Sequence, residues 1–192
     1  INGTEILAFP ADRAAFLAAE MCDTPAAVSM EYKQARADVM KADPIVIEEI
    51  RTTLRARGFV RELLPYQLEC LYVSQFKRGF YNAMTMGLGK TTTALAAATL
   101  GQVQRVLVVC PKSVCRTWQK EWEICFAHPR SFGFCLLDEG SIAERRYKLV
   151  NIGCKSQAWP VICAINYEIL HELQDAINTY NPDLLIFDEA HR

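Results

Sequence analysis

Two clusters in this sequence carry residue types in an order that supports chemistry. The first is Met86-Gly87-Leu88-Gly89-Lys90-Thr91-Thr92. Gly87 and Gly89 allow a tight turn that brings backbone N–H groups against an anion, and a helix opening at the lysine adds positive partial charge there. Lys90 supplies a full charge for β- and γ-phosphates. The Thr91 hydroxyl stands where a Mg²⁺ bridging those phosphates needs a ligand. This is the order of a phosphate-binding P-loop, with Met84 where the full pattern has its first glycine. The second cluster is the apolar run 184–187 ending in Asp188 and Glu189, followed by Ala190 and His191. A strand that runs into two carboxylates has the form of a Walker B element. Placed beside the P-loop strand, at the carboxyl edge of a sheet, Asp188 would hold Mg²⁺ through its water shell and Glu189 would polarise an attacking water. ATP with Mg²⁺ is therefore the expected ligand, with Lys90, Asp188 and Glu189 as catalytic residues and Thr91 and Asp188 as the metal-holding pair.

The elements that must position these residues follow from hydrophobic patterning. Short apolar runs at 80–83, 105–110, 132–137, 161–165 and 184–187 read as strands, and stretches 90–100, 114–126, 142–150 and 167–178 read as helices. Strands apolar throughout, alternating with crossover helices, predict an α/β fold with a parallel sheet covered on both faces. Residues 1–64 read instead as helical and polar, with an Ala-rich stretch at 11–21 and Ile45, Ile47, Ile50 and Leu54 at helical spacing before Gly58. That gives a small helical accessory region over 1–63, with no residues at chemical spacing, and a nucleotide-binding lobe over 64–192.

Composition bounds the rest. The chain has 192 residues, 51% of them hydrophobic and 22% charged, which is globular and excludes disorder or collagen-like repeats. A formal net charge of −1 provides no global attraction for polyanions, so any nucleic-acid contact must be a local patch. Eight cysteines include no Cys-x-x-Cys pair, and several sit inside apolar runs. Buried free thiols in a reducing, intracellular setting are expected, not structural zinc or a disulfide framework. No apolar stretch approaches the ~18 residues of a membrane span, so no membrane partner is expected.

Further elements carry a resemblance. Gly87-Leu88-Gly89-Lys90-Thr91 and the Asp188-Glu189-Ala190-His191 box are similar to motifs I and II of superfamily-two helicases. Leu64-Pro65-Tyr66-Gln67 resembles the adenine-reading element of that family. Val108-Val109-Cys110-Pro111-Lys112-Ser113 followed by Trp118 and Trp122 resembles motif Ia, and Ile165-Asn166-Tyr167-Glu168 the motif Ib region. The Met-Gly-Leu-Gly-Lys-Thr form, with Pro-x-Ser before a tryptophan, is most similar to the Swi/Snf-like branch of DNA-dependent ATPases. Met84 and Thr85 stand where that branch usually has two acidic residues.

The resemblance implies a RecA-like first lobe, reaching just past motif II, of a motor that translocates on or remodels duplex DNA. A second RecA-like lobe would be its partner, supplying arginines to the nucleotide. Residues 1–192 alone would then bind nucleotide without turning it over. Tyr66 and Gln67 would meet adenine, Gln67 through an amide that both donates and accepts. Lys112, Ser113, Arg116 and Asn166 would meet the nucleic acid, the first three tracking phosphates without reading bases. Trp118 and Trp122, four apart on one helix, read as core packing. His191 alone of the three histidines carries an expected role, linking nucleotide and DNA sites. A non-motor ATP-binding or DNA-scaffolding module is the alternative function, and a small-molecule phosphotransferase ranks behind both.

Overall fold

The computed structural model describes residues 5–9, 44–74, 79–82, 84, 87–128, 132–154 and 160–189. Six strands form one sheet: β1 (Glu5–Phe9), β2 (Gly79–Tyr81), β3 (Arg105–Cys110), β4 (Gly133–Leu136), β5 (Val161–Asn166) and β6 (Leu184–Asp188). Their spatial order is β2-β1-β6-β3-β5-β4, and every pairing is parallel. The helices are α1 (Pro44–Ala56), α2 (Pro65–Ser74), α3 (Lys90–Leu100), α4 (Lys112–Cys125), α5 (Ile142–Cys154) and α6 (Gln174–Tyr180).

The sheet has helices on both faces because its central strands are apolar on both faces. Along β3, Val106, Val108 and Cys110 join one core with Leu95 of α3 and Trp118 of α4, while Leu107 and Val109 join a second with Leu149 of α5 and Tyr180 of α6. β5 divides in the same way, with Ile162 and Ala164 on one side and Cys163 and Ile165 on the other. That is the two-residue period of a strand, read out as two packed layers. Burial of each large apolar side chain in these layers contributes about 1.5–3 kcal/mol. The first core also takes Ile50 and Leu54 of α1 and Phe59, so residues 44–59 pack directly on the lobe.

Three sequence expectations change. Residues 5–9 were expected to belong to a helical region, and they form β1. The apolar run Ile6 to Phe9 is too short for periodicity to separate a buried strand from a helical turn. β1 also lies between β2 and β6, with Ile6 in register with both Gly79 and Leu185. The acidic strand therefore stands one strand away from the strand before the glycine loop instead of beside it. The helix expected over 167–178 is broken into a 3₁₀ turn, Tyr167–Ile169, and the short α6. The Tyr167 hydroxyl bonds across to the Asp188 carbonyl of β6, and the Tyr180 hydroxyl, at the end of α6, to the Val106 and Val161 carbonyls of β3 and β5. The Ala-rich stretch 11–21 lies outside the described residues.

Candidate active site

The glycine loop is built from two left-handed residues. Gly87 has φ +83° and Gly89 φ +76°, a region that costs an L-residue roughly 1–2 kcal/mol. A Cβ at Gly87 would meet nothing within 4 Å, whereas one at Gly89 would collide with the Gln67 amide nitrogen. Gly89 is also the N-cap of α3, whose first residue is Lys90. Because Ala94, Leu95, Ala96 and Ala98 are buried, α3 lies close on the sheet and points its N-terminus at the loop.

The three threonines that follow diverge. Thr91 stays partly exposed at the mouth. Thr93 donates its hydroxyl to the Gly89 carbonyl at 3.0 Å, closing the first turn. Thr92 donates to Glu121 Oε2 on α4 at 2.9 Å, and Arg61 joins the same oxygen at 3.2 Å. The Thr92 hydroxyl therefore ties α3 to α4 from a position 3.7 Å from where a Cβ on Gly89 would stand.

Tyr66 and Gln67, at the start of α2, converge on the loop itself. The Tyr66 hydroxyl and Gln67 Nε2 both donate to the Leu88 carbonyl, each at 3.1 Å. Gln67 is 5% exposed, and its Oε1 accepts the Leu64 N–H at 2.9 Å. That leaves Gln67 one amide N–H and one lone pair of Oε1 uncommitted by these two bonds.

Asp188 ends β6 at 7% exposure. Burial pushes its carboxyl above the ordinary value. The Trp118 indole hydrogen bond opposes that shift, the Glu189 charge adds to it, and the Lys90 ammonium opposes it. Lys90 and Asp188, from separate clusters in the sequence, are therefore brought within electrostatic reach of each other. Glu189 follows with φ +56°, a left-handed turn that redirects the chain as the strand ends. Among the described residues no three His, Cys, Asp or Glu side chains converge on a common ion. A divalent ion at Asp188 would accordingly draw its other ligands from phosphate, water and Thr91, which fits the habit of Mg²⁺.

A family model described as SNF2-related domain matches residues 73–192, from the end of α2 through the acidic strand. The chain belongs to that family. Two curated relatives, each named DNA repair and recombination protein RAD54-like, come from Drosophila persimilis and Drosophila pseudoobscura pseudoobscura. Each is 26% identical over 164 residues, covering 77% of this chain and 20% of the relative. The chain thus spans about a fifth of the length of these relatives. Its described part is an α/β RecA-like lobe of the Swi/Snf type.

Within this SNF2-related lobe, the remaining expected site residues lie along the same strand ends. Lys112, Ser113 and Arg116 are exposed on the first turns of α4. Arg116 is paired: its Nε meets Asp138 Oδ2 at 3.3 Å, and its terminal nitrogen meets Glu139. Asn166 is buried at the end of β5, where Nδ2 donates to Glu168 Oε2 at 2.5 Å and Oδ1 accepts from Arg145 at 3.4 Å. The Asn166 bond, with the charge of Lys112, holds the Glu168 carboxyl below its usual value. Asn166 therefore braces this edge from inside and offers no exposed donor. Met86 and His191 lie outside the described residues.

Three participants were missed from sequence. Trp118, read as core, also donates its indole N–H to Asp188 Oδ2 at 2.8 Å. Tyr167 donates its hydroxyl to the Asp188 main-chain carbonyl at 2.9 Å. Asn82, just after β2, is buried, with Oδ1 accepting the Met84 N–H at 3.1 Å and Nδ2 without a partner among the described residues. A polar residue ending an apolar strand before a glycine loop was the only available signal for Asn82. Trp118 and Tyr167 lie in the segments that resemble motifs Ia and Ib, but nothing local signals that either bonds to Asp188.

Proposed function

We propose that this chain is the ATP-binding lobe of a DNA-dependent ATPase that translocates on or remodels duplex DNA. The observation that carries the reading is that Lys90, opening α3 after the left-handed Gly89, and Asp188, ending β6, both lie at the carboxyl edge of one parallel sheet, where open α/β folds bind ligands. In this reading the loop N–H groups and Lys90 bind the β- and γ-phosphates, with Thr91 and Asp188 holding Mg²⁺. Bound there, Mg²⁺ supplies charge neutralisation at the phosphates. Glu189 accepts a hydrogen bond from the attacking water and orients it in line with the γ-phosphate. Tyr66 and Gln67, both bonded to the Leu88 carbonyl, meet the base in this reading. Lys112, Ser113 and Arg116 contact backbone phosphates of DNA.

A second RecA-like lobe completes the site with arginines, whose transition-state contribution is typically about 10³–10⁵ in rate. Residues 1–192 alone should therefore bind ATP at micromolar affinity or weaker and turn it over negligibly. The free thiols at Cys70, Cys110, Cys115, Cys125, Cys135 and Cys163 suit a reducing, intracellular setting. The pairing of Arg116 with Asp138 and Glu139 favours a second reading, a nucleotide-binding module that does no mechanical work.

The deciding experiment has two parts. Calorimetry of residues 1–192 with ATP and Mg²⁺ should show binding that Lys90→Ala removes; unchanged affinity would refute the nucleotide site. The longer protein carrying both lobes should hydrolyse ATP faster with duplex DNA and lose that stimulation in Glu189→Gln. Binding without stimulated turnover would select the non-motor module.

A further inference from the structure

The Trp118 side chain is nearly fully enclosed, at 1% exposure, and its one polar atom is directed at Asp188 Oδ2 from 2.8 Å. Seventy residues separate the pair in sequence. Packing alone does not demand this contact. An indole needs one acceptor when buried, and a neutral carbonyl satisfies it: Trp122, one turn further along α4, donates its indole N–H to the Phe132 carbonyl at 2.7 Å. Trp118 instead uses a carboxylate at the mouth of the nucleotide site, and hydrogen bonds to charged groups are roughly twice as strong as neutral ones.

We propose that Trp118 is a positioning residue for the metal-holding carboxylate, its indole N–H fixing the orientation of Asp188 so that the remaining lone pairs face the Mg²⁺ water shell. The proposal rests on the reading of Asp188 given above. A carboxylate offers about four acceptor sites, and an indole held at one oxygen restricts rotation about the last side-chain bond without consuming the others. Ligand-orienting partners of this kind, when removed, commonly weaken metal affinity by about 10–100-fold.

The test uses Mn²⁺ as a spectroscopic replacement for Mg²⁺ on the ADP-bound chain. Trp118→Phe keeps the aromatic packing and removes the donor; Mn²⁺ affinity measured by paramagnetic resonance should fall roughly tenfold, with metal-free ADP affinity unchanged. Trp122→Phe, which removes the same chemical group from the same helix, should leave Mn²⁺ affinity as it was. Equal Mn²⁺ affinities in the Trp118 and Trp122 variants would overturn the proposal.

Since Trp118→Phe could fail to fold, a second measurement uses the native tryptophan. The Trp118 indole ¹⁵N–¹H resonance, assigned by elimination with Trp122→Phe and Trp159→Phe, should shift when Mg²⁺ is added to the ADP-bound chain. A stationary resonance under saturating Mg²⁺ would equally overturn it. Asp188→Asn separates the two levels of inference. Unchanged Mn²⁺ affinity there would remove the reading of Asp188 and the proposal together, whereas a loss there with none in Trp118→Phe would remove only the proposal.

Discussion

The Tyr167 hydroxyl donates to the main-chain carbonyl of Asp188 at 2.9 Å, joining the corner after β5 to the turn that carries Glu189. Burial first, and then the Asp188 charge, push this phenol up to about 12, so it stays a protonated donor throughout the working range. The bond holds the carbonyl of the residue just before a left-handed Glu189. Tyr167→Phe should therefore reduce ATP turnover in the two-lobe protein by about tenfold, because the turn that carries Glu189, proposed to orient the water, loses its tether. Nucleotide affinity should change little. A parallel loss of affinity would show that Tyr167 shapes the pocket and not the turn.

Gly87 and Gly89 should respond differently to alanine. Both need positive φ, so each substitution carries backbone strain of roughly 1–2 kcal/mol. Only at Gly89 does the added carbon meet Gln67, which is held on both sides by Leu64 and Leu88. Gly89→Ala should therefore displace Gln67, lower the melting temperature more than Gly87→Ala, and abolish nucleotide binding; Gly87→Ala should weaken binding with a smaller thermal shift. Thermal melts with and without ADP separate the two, and equal shifts would contradict the role given to Gln67.

What was legible in the sequence was what repeats within a few residues. The five strands after the N-terminal region appear within a few residues of their expected places because continuous apolar runs are the direct cost-minimising pattern for a sheet covered on both faces. The glycine loop was legible because its chemistry is local: a turn, a charge and a helix start within six residues. Buried cysteines were readable as small hydrophobes, and burial indeed pushes the Cys125 thiol up to about 12. Contacts made across the sheet left no such trace. Trp118 at Asp188, Tyr167 at the Asp188 carbonyl and Thr92 at Glu121 join positions separated by 70, 21 and 29 residues. β1 was missed for a related reason: its apolar run gains meaning only from the slot it fills between β2 and β6.

The start of α5 should make the braced edge sensitive to acid. Glu144 Oε2 accepts the Ser141 N–H at 2.7 Å, and the Glu144 N–H returns a bond to the Ser141 hydroxyl at 3.3 Å, forming a capping box. The main-chain bond from Ser141 chiefly holds the exposed Glu144 carboxyl below its usual value. A carboxyl lowered on folding binds protons more tightly in the unfolded chain, so its stabilisation is present above the unfolded value and lost as pH falls through the folded one. Arg145, next in sequence, donates to the Asp138 and Glu139 carbonyls, so fraying here loosens that loop. Glu144→Gln should lower the melting temperature at neutral pH and converge with the parent below the carboxylate range. A constant difference across pH would assign the effect to something other than the charge.

The last expectation concerns the cations proposed to meet DNA. Arg116 is exposed yet already neutralised by Asp138 and Glu139, and Lys112 lies under the influence of Glu168. A phosphate that takes Arg116 must displace a carboxylate, so part of the counterion-release gain is offset. Lys112→Ala/Arg116→Ala should therefore weaken duplex binding of the two-lobe protein evenly across sequences and flatten the salt dependence by about 1–2 in slope. Glu139→Gln should act in the opposite direction. Glu139 is the more exposed of the two acids, so its neutralisation frees the terminal nitrogen of the guanidinium while Asp138 keeps Nε, and DNA binding should tighten several-fold, on the order of 1 kcal/mol. Fluorescence anisotropy on one duplex across a salt series measures both. If neither variant moves the affinity or the slope, the DNA track does not run over the first turns of α4.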